Sequence, residues 1–336
     1  MATLTATLRA PAQISSQRRS DQHARTERHI PGWTLRGAIA AAWLRWNGPL
    51  NDQTRDQFIR LFEGGVRFGP LYAGSPPPSR ALVEHKYGGT DCPASPVDLA
   101  LRPDLDTPKK CDSCHEALKT VEWGHQDRPA VHRRTSVAIT DSGVADPGKL
   151  FSRDRVLPSD PASQPVSFRG LITGEDGELL EELTRVGGIR IGARRSTHGR
   201  VDLTLTAETS HPTIECRDDG ILVLRLVSPA VFVDDTGRPS LLPSVSELED
   251  QLGVAVHRIT PWARWGFIGG WHMASGLPKP TETTVESGST YAVTLSDSPS
   301  AEALAALGRA GLGLRRHEGF GHLGDSFARI RPTSAR

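Results

Sequence analysis

Two segments rich in glycine and arginine are the parts of this sequence whose residue types and spacing suggest chemistry. They read GGIRIGARRSTHGR at residues 187–200 and GLGLRRHEGFGHLG at residues 311–324. Glycine permits positive φ and lets a ligand approach the main chain, where successive N–H groups form a concavity for anions. Arginine adds a fixed charge whose planar fork matches phosphate. Each segment therefore predicts a cradle for phosphates, with tight turns between helix and strand as the alternative.

The predicted phosphate contacts take matching places in the two segments. They are Gly192, Arg194, Arg195, Gly199 and Arg200 in the first segment, and Gly313, Arg315, Arg316, Gly319 and Gly321 in the second. Because paired arginines accompany the glycines twice, the repetition favours phosphate binding over turns alone.

An arginine-rich stretch near the amino terminus, QRRSDQHARTERH, is a candidate extension of the predicted phosphate-binding surface. Its contacts would be Arg18, Arg19, Arg25 and Arg28, followed by Arg36 from the next helix. By itself, such a run is more typical of a solvated loop. The aromatic residues Trp33, Phe68, Tyr72 and Phe320 are candidates for stacking on unpaired bases, with core packing as the alternative.

Three clustered cysteines predict a structural zinc site. Cys111 and Cys114 form a C-x2-C pair with His115 adjacent and Cys92 upstream, a set consistent with tetrahedral zinc. We take His115 as the fourth ligand, and His85, His125 and Cys216 remain alternatives. Zinc here would hold a proline-rich segment together rather than perform chemistry. The other interpretation is free thiols in a loosely ordered insertion.

The composition of the 336 residues predicts a globular protein that buries a core. The chain is 37% hydrophobic and 24% charged, with a formal net charge of +1, so a polyanion would have to bind a local patch. No apolar run approaches the length of a membrane span, and the amino terminus lacks the apolar core of a signal peptide. We expect a cytoplasmic protein with no membrane partner.

The elements around the glycine segments repeat. A short helix, ELLEELTRV, precedes the first segment, and a second helix, AEALAALGRA, precedes the other, each followed by glycine, an apolar strand, paired arginines and another strand. This indicates an α+β chain of two ferredoxin-like blocks with glycine-rich loops. We assign residues 1–206 to the first block, with a cysteine-containing insertion at about 74–130, and residues 207–336 to the second. A helix over residues 34–46 is expected to begin at Thr34 as its cap.

These residues resemble the RAMP superfamily, the ferredoxin-like RNA-binding proteins of CRISPR–Cas systems. The second segment fits the signature G-h-G-x5-G-h-G, where h is apolar, and HIPGWTLRGAIAAAW resembles the IPG-S-x-L-R/K-G motif that opens the first helix. AVHRRTSVAIT and the following GKLFSRDRV and VSFRGLITG are similar to a central segment of the family. FIGGWHMASGLPKP is similar to part of the type III-D subunit that holds the 5′ end of the guide RNA. His198 stands where many relatives have glycine, and Trp33 where most have serine.

The resemblance implies a non-catalytic, RNA-binding subunit of a type III CRISPR effector complex in antiviral defence. Such a subunit grips the 5′ handle of the CRISPR RNA (crRNA) and docks on the large polymerase-like subunit and the backbone RAMP subunit. It meets target RNA only indirectly.

Two RNA-cleaving functions stay open as alternatives. Backbone subunits of type III complexes carry a catalytic aspartate in the loop before their IPG motif, where this chain has Asp21. Guide-processing ribonucleases of the superfamily often use histidine as a general base, and His29 is the candidate here. A purely structural adaptor, whose arginines meet acidic protein surfaces, is a third interpretation.

Overall fold

The computed structural model describes residues 2–15, 23–64, 66–87, 92, 96–103, 110–174, 177–194, 196–207, 212–272 and 275–326. Five α-helices lie within these ranges: α1 (Gly32–Asn47), α2 (Asp52–Ile59), α3 (Gly177–Arg185), α4 (Val245–Leu252) and α5 (Ala301–Ala310). The strands of the first part are β1 (Ala2–Leu8), β2 (His23–Ala24), β3 (His29–Ile30), β4 (Val66–Phe68), β5 (Leu71–Tyr72), β6 (Leu82–His85), β7 (Val97–Asp98), β8 (Leu118–Thr120), β9 (Val131–Ile139), β10 (Ala145–Val156), β11 (Ser167–Gly174) and β12 (Val201–Ala207). The strands of the second part are β13 (Ile221–Leu226), β14 (Val256–Trp262), β15 (Trp265–Ile268), β16 (Trp271–His272), β17 (Leu277–Pro278), β18 (Glu282–Val285), β19 (Thr290–Leu295) and β20 (Leu323–Gly324).

The first large sheet has the strand order of a ferredoxin-like fold. Its order is β12-β1-β11-β5-β3, and β4 also pairs with β11. Taking β4 and β5 as the second strand, the chain runs β1, α1, β4/β5, β11, α3, β12, and the strands lie in the spatial order four, one, three, two. Alternate residues of β1 are buried, from Ala2 to Leu8, and they share a hydrophobic core with Leu35, Ile39 and Trp43 of α1.

The second large sheet repeats this topology. Its order is β14-β19-β13-β20, with α4 after β13 and α5 after β19. This again gives the order two, three, one, four. The predicted α+β class with two ferredoxin-like blocks is therefore confirmed. The boundary between the blocks at residues 206 and 207 stays a prediction. The last strand of the first sheet, β12, ends at Ala207.

The cysteine-containing insertion packs a hydrophobic cluster on the second sheet. Ala81, Val83 and Leu99 of the insertion share a cluster with Ile221 and Val223 of β13. The other face of this sheet packs on α4 and α5 through residues such as Leu248 and Leu307. Because both faces are covered, every residue of β13 is buried, including Arg225. Arg225 donates to the carbonyl of Pro77 at 2.6 Å, which also joins the insertion to this sheet.

Matching hydrogen bonds superimpose the two blocks residue by residue. In the first block these bonds are Leu8 N to Val166 O, Ala12 N to Val156 O, Gly199 N to Pro11 O, Ala193 N to Gln13 O and Ile191 N to Gly199 O, at 2.8–2.9 Å. In the second they are Leu226 N to Ser289 O, Ala230 N to Val285 O, Gly321 N to Pro229 O, Leu314 N to Val231 O and Leu312 N to Gly321 O, at 2.8–3.0 Å. The structure therefore contains the repeated unit that the sequence indicated.

The helix α1 begins before the expected cap. It starts at Gly32 after Pro31, whose position carries no side-chain cap, so Thr34 lies inside the first turn. Proline suits this place because its fixed φ and missing N–H fit a helix start. No described helix has both the length and the hydropathy needed to cross a membrane.

Candidate nucleic-acid interface

The glycines of both loops are required by the protein's own main chain. We call residues 188–200 the first loop and residues 311–321 the second loop. A Cβ on Gly199 would lie 1.9 Å from the oxygen of Ile191, and one on Gly321 would lie 1.8 Å from the oxygen of Leu312. Both glycines also have positive φ, 73° and 68°. The close approach that explains these glycines is thus a backbone contact inside the loop, as in the turn interpretation. RNA contact by the loops stays a prediction, and it depends on the arginines.

Arg194 and Arg315 hold equivalent positions in the two loops. They come directly after Ala193 and Leu314, whose backbone hydrogen bonds are equivalent in the two blocks. Both arginines have a left-handed backbone, with φ of 53° at Arg194 and 58° at Arg315. Few L-residues adopt this conformation, so the fold enforces it in both blocks. The two side chains, however, have different surroundings.

In the second loop, acidic side chains pair with the arginines. Arg315 donates two hydrogen bonds to the carboxylate of Glu318, at 2.8 and 2.7 Å, and also pairs with Glu282. Arg316 lies 3.5 Å from Glu247, whose carboxylate also accepts from the backbone N–H of Gly313. Burial would raise the pKa of Glu318, but its hydrogen bonds from Arg315 and the charge of Arg315 outweigh burial and lower it.

The second loop also packs on the first block. A Cβ on Gly319 would lie 2.4 Å from the oxygen of Phe68 and 2.7 Å from the Cα of Gly32. The rings of Phe320 and Trp33 stack with their centroids 4.9 Å apart, and the guanidinium of Arg315 lies over the Phe320 ring. Phe320 is buried at 1% exposure. The second loop and the start of α1 therefore form one interface between the blocks.

The first loop instead meets the basic face of a long hairpin. In the hairpin of β9 and β10, Arg134 pairs with Arg153 in register, and His132 pairs with Arg155. Side chains directly opposite each other share a face, so these residues lie on one side. We call Arg134, Arg153, Arg155, Arg194 and His198 the basic cluster. Asp154 points to the other face, where its carboxylate accepts from Arg133 at 2.9 Å.

Burial and charge repulsion lower the pKa of Arg153 and of His198, two members of the basic cluster. The pKa of Arg153 is lowered by burial, then by Arg194 and Arg155. Burial also lowers the pKa of His198, followed by the charges of all four arginines of the cluster. Within the described ranges, no carboxylate forms an ion pair with any of those arginines. Like charges facing each other are destabilising, which makes this face the best candidate for an anion.

Sequence analysis missed the hairpin arginines. Arg134, Arg153 and Arg155 belong to VHRRTS and FSRDRV, which were assigned only as family-like segments. The usable signal was the period of two in a strand: it places the first and third residues of RDR on one face and the aspartate on the other.

The other predicted contacts are scattered. Arg18, Arg19 and Arg195 lie outside the described residues. Arg25 and Arg200 are exposed, and Arg28 is half-buried, with its pKa lowered by burial and then by Arg128. Arg36 donates to the carbonyl of Phe62 at 2.5 Å and to Glu63 at 2.6 Å, so it serves contacts within the first block.

The aromatic candidates are mainly part of the protein interior. Phe68 belongs to the first core, and the hydroxyl of Tyr72 donates to the carbonyl of Val227 at 2.6 Å. Trp33 and Phe320 stack on each other, as described above. These aromatic side chains therefore pack in the core or at the interface between the blocks, which is the alternative to base stacking.

His29 is shielded from solvent. It stacks on Tyr72, with centroids 5.1 Å apart, and Trp123 lies at its edge. Both ring nitrogens are buried, and no described residue forms a hydrogen bond with them. Burial lowers the pKa of the imidazole, so it is neutral at pH 7. This environment does not suit a general base that must reach RNA. Asp21, the other catalytic candidate, lies outside the described residues.

Four side chains of the insertion form a candidate metal centre. The ligand atoms of His85, Cys92, Cys111 and Cys114 all lie within 4.8 Å of one another. The sulfurs of Cys92 and Cys111 are 3.9 Å apart, and the Cys114 sulfur is 3.2 Å from His85 Nε2. A tetrahedral zinc with zinc–sulfur bonds of about 2.3 Å has sulfur–sulfur edges of about 3.8 Å. The donor set and its spacing therefore fit zinc.

The structure brings His85, one of the alternatives, to the fourth place of this cluster, and His115 as a metal ligand stays a prediction. His115 is exposed and sits at a turn with φ of 58°, where its backbone N–H donates to the Cys111 carbonyl. His85 ends β6, and the bond from Lys86 N to Ala117 O places that end beside the cysteine turn. A hydrogen bond with His85, then the N–H groups of Cys114 and Ser113, lower the pKa of the Cys111 thiol to about 6. A thiolate at neutral pH is the form that binds metal.

Several solved structures are similar to this chain, and three of them are described here. One is a chain of a type III-B Cmr-beta complex bound to cognate target RNA and AMPPnP, with 12% identity, 86% of both chains covered and a TM-score of 0.47. Another belongs to a Csm3–Csm4 subcomplex of the type III-A interference complex, with 10% identity, 89% of this chain and 94% of that chain covered, and a TM-score of 0.39. A third is a RAMP protein binding different RNA substrates, with 10% identity, coverage of 96% and 99%, and a TM-score of 0.35.

No family model matches the chain, and no curated protein matches its sequence.

Proposed function

We propose that this chain is a non-catalytic, RNA-binding RAMP subunit of a type III CRISPR effector complex. It grips the 5′ handle of the CRISPR RNA and docks on the large polymerase-like subunit and on the neighbouring backbone RAMP subunit. The observation that carries the RNA-binding part is the basic cluster. Its four arginines converge on one face and have no acidic partner among the described residues. The handle, the subtype and the two docking partners rest on the resemblance of the sequence motifs.

Phosphate binding is the chemistry that fits this face. Guanidinium groups bind phosphate oxygens in charge-assisted pairs, and half or more of protein–nucleic acid hydrogen bonds go to phosphate or sugar. The chain as a whole has a net charge of only +1, so a concentrated patch is what selects a polyanion. Zinc at His85, Cys92, Cys111 and Cys114 would hold the insertion against the second sheet.

Sequencing the RNA that copurifies with the chain tests the proposal. We expect guide RNAs sharing a constant 5′ segment, and their amount should fall when Arg155 and Arg194 are changed to glutamate. Arg133→Gln is the control, because Arg133 lies on the opposite face of the same hairpin and glutamine can still donate to Asp154. RNA with no common 5′ segment would contradict handle recognition, and the absence of RNA from both the chain and its assembled complex would contradict the function.

Cleavage assays test the non-catalytic part. The assembled complex is incubated with labelled target RNA and with labelled precursor RNA. We expect this chain to contribute no cleavage, so Asp21→Ala and His29→Ala should leave all cleavage unchanged. Target cleavage lost with Asp21→Ala would instead support slicing, and precursor cleavage lost with His29→Ala would support guide processing.

A further inference from the structure

The internal repeat shows which side chain of the second block takes the place that Arg153 holds in the first. Val156 and Val285 form the same pair of backbone bonds with Ala12 and Ala230. Counting three residues back along each strand makes Glu282 the counterpart of Arg153. Arg315 is the counterpart of Arg194, and Arg315 pairs with Glu282. The second block thus places a carboxylate where the first block places a guanidinium.

In the first block, no described carboxylate takes the place that Glu282 holds in the second. Arg153 packs over the ring of Phe151, 4.7 Å from its centroid, and its buried Nη1 has no hydrogen-bond partner in the described part of the chain. Arg155, the counterpart of the neutral Thr284, adds another positive charge. A guanidinium N–H that is removed from water without an acceptor is costly, so a bound anion would relieve both the repulsion and this unpaired donor.

We infer that a phosphate group of a bound RNA strand takes the place that the Glu282 carboxylate holds in the second block, where it bridges Arg153 and Arg194 with Arg155 beside it. The inference rests on the proposed function only in naming RNA as the source of the phosphate. It assigns the second loop a different role, because Glu282, Glu318 and Glu247 already neutralise its arginines.

His198 provides an independent reporter of an anion at this position. Burial and then the charges of Arg155, Arg194, Arg134 and Arg153 lower its pKa, and its Nδ1 lies 2.6 Å from the hydroxyl of Thr197. The lowered pKa favours the neutral imidazole. A phosphate among the arginines offsets their charge, so His198 should take up a proton more readily in the complex.

The experiment titrates the full-length chain with two probes, a short oligouridylate with a 5′ hydroxyl and inorganic phosphate. The readouts are affinity and the imidazole resonances of His198 across pH 5 to 8. Arg153→Glu supplies the carboxylate of the second block, and we expect it to weaken oligouridylate binding about a hundredfold, with about tenfold for Arg153→Gln. Arg133→Gln, the control on the opposite face, should change affinity by less than about threefold. In the wild-type chain, oligouridylate should shift the His198 titration to higher pH.

The outcomes separate this inference from the proposed function. Wild-type RNA binding that is unchanged in both Arg153 variants would overturn the inference and leave the function standing. A His198 response to inorganic phosphate but none to oligouridylate would overturn RNA as the source. Arg153→Gln keeps the test valid if the glutamate variant does not fold, and circular dichroism establishes folding for each variant.

Discussion

The two glycine loops have the same backbone and opposite electrostatic surroundings. Their hydrogen bonds superimpose, and Arg194 and Arg315 share the same left-handed turn. In the second loop, however, three glutamates meet the arginines and an aromatic stack covers the loop. In the first loop the arginine joins four other basic side chains. The glycine spacing therefore indicates only the backbone fold of the loop. Whether the loop can bind the anion of a ligand depends on the charged side chains around it.

The difference also explains why one loop faces another part of the protein. A neutralised arginine can be half-buried at modest cost, and Arg315 lies over Phe320, which stacks on Trp33 at the start of α1. An unpaired group of arginines has to stay hydrated or bind an anion. Consistent with this, Arg194 is exposed. One copy of the repeat therefore connects the blocks, and we propose that the other contacts RNA.

The largest effect is expected from the insertion, which covers one face of the second sheet. Removing the metal with a chelator, or changing His85→Ala, should lower the free energy of unfolding of the second block by more than about 3 kcal/mol, because metal binding and folding are coupled. Hydrogen exchange should rise first in β13. His115→Ala is the matched control and should retain the metal, measured by native mass spectrometry. Loss of metal with His115→Ala alone would contradict the assigned centre.

Gly199→Ala should destabilise the first block, and Gly321→Ala should destabilise the second block by a similar amount. An added Cβ would collide with a backbone oxygen at 1.9 or 1.8 Å, and both positions have positive φ. We expect a loss of about 2–3 kcal/mol in each case, measured by urea denaturation. Gly37→Ala is the control, since nothing lies near its Cβ and helix propensity favours alanine. If alanine left the free energy of unfolding unchanged at only one of the two sites, the two loops would not be equivalent.

Exchanging the charges at Arg153 and at Glu282 should change the free energy of unfolding in opposite directions. Arg153→Glu creates the pair of the second block and should raise the free energy of unfolding by about 1 kcal/mol, while Glu282→Arg should lower it by about as much. Thermal denaturation at low salt is the measurement. Equal effects of the same sign would show that the two positions are not equivalent.

The smallest effect concerns pH. Because Arg315 lowers the pKa of Glu318, this pair stabilises the folded state above the ordinary glutamate pKa, and the stabilisation is lost as pH falls through the lowered value. Glu318→Gln should therefore cost about 1 kcal/mol at pH 7 and much less at pH 2 to 3. An unfolding free energy that differs from wild type by the same amount at both pH values would contradict the role of the pair.

Much of the fold was predictable from local patterns, and the site was predictable only in part. The alternation of β1, the helical period of α1 and the repeated loop gave the two ferredoxin-like blocks correctly. The basic cluster depends on which strands pair, since Arg134 and Arg153 are distant in sequence. Likewise, His85 joins the cysteines through the pairing of β6 with β8, whereas proximity in sequence suggested His115. The pairing of Arg315 with Glu282 is also a tertiary contact that loop spacing does not reveal.

Comparing Arg194→Gln with Arg315→Gln in guide-RNA binding, as a function of salt, tests the central claim most directly. The glutamine variants remove one charge from equivalent positions without adding another. We expect about tenfold weaker binding and a salt slope smaller by about one for Arg194→Gln, with a change below about twofold for Arg315→Gln. Equal losses of affinity in the two variants, or a loss confined to Arg315→Gln, would contradict it.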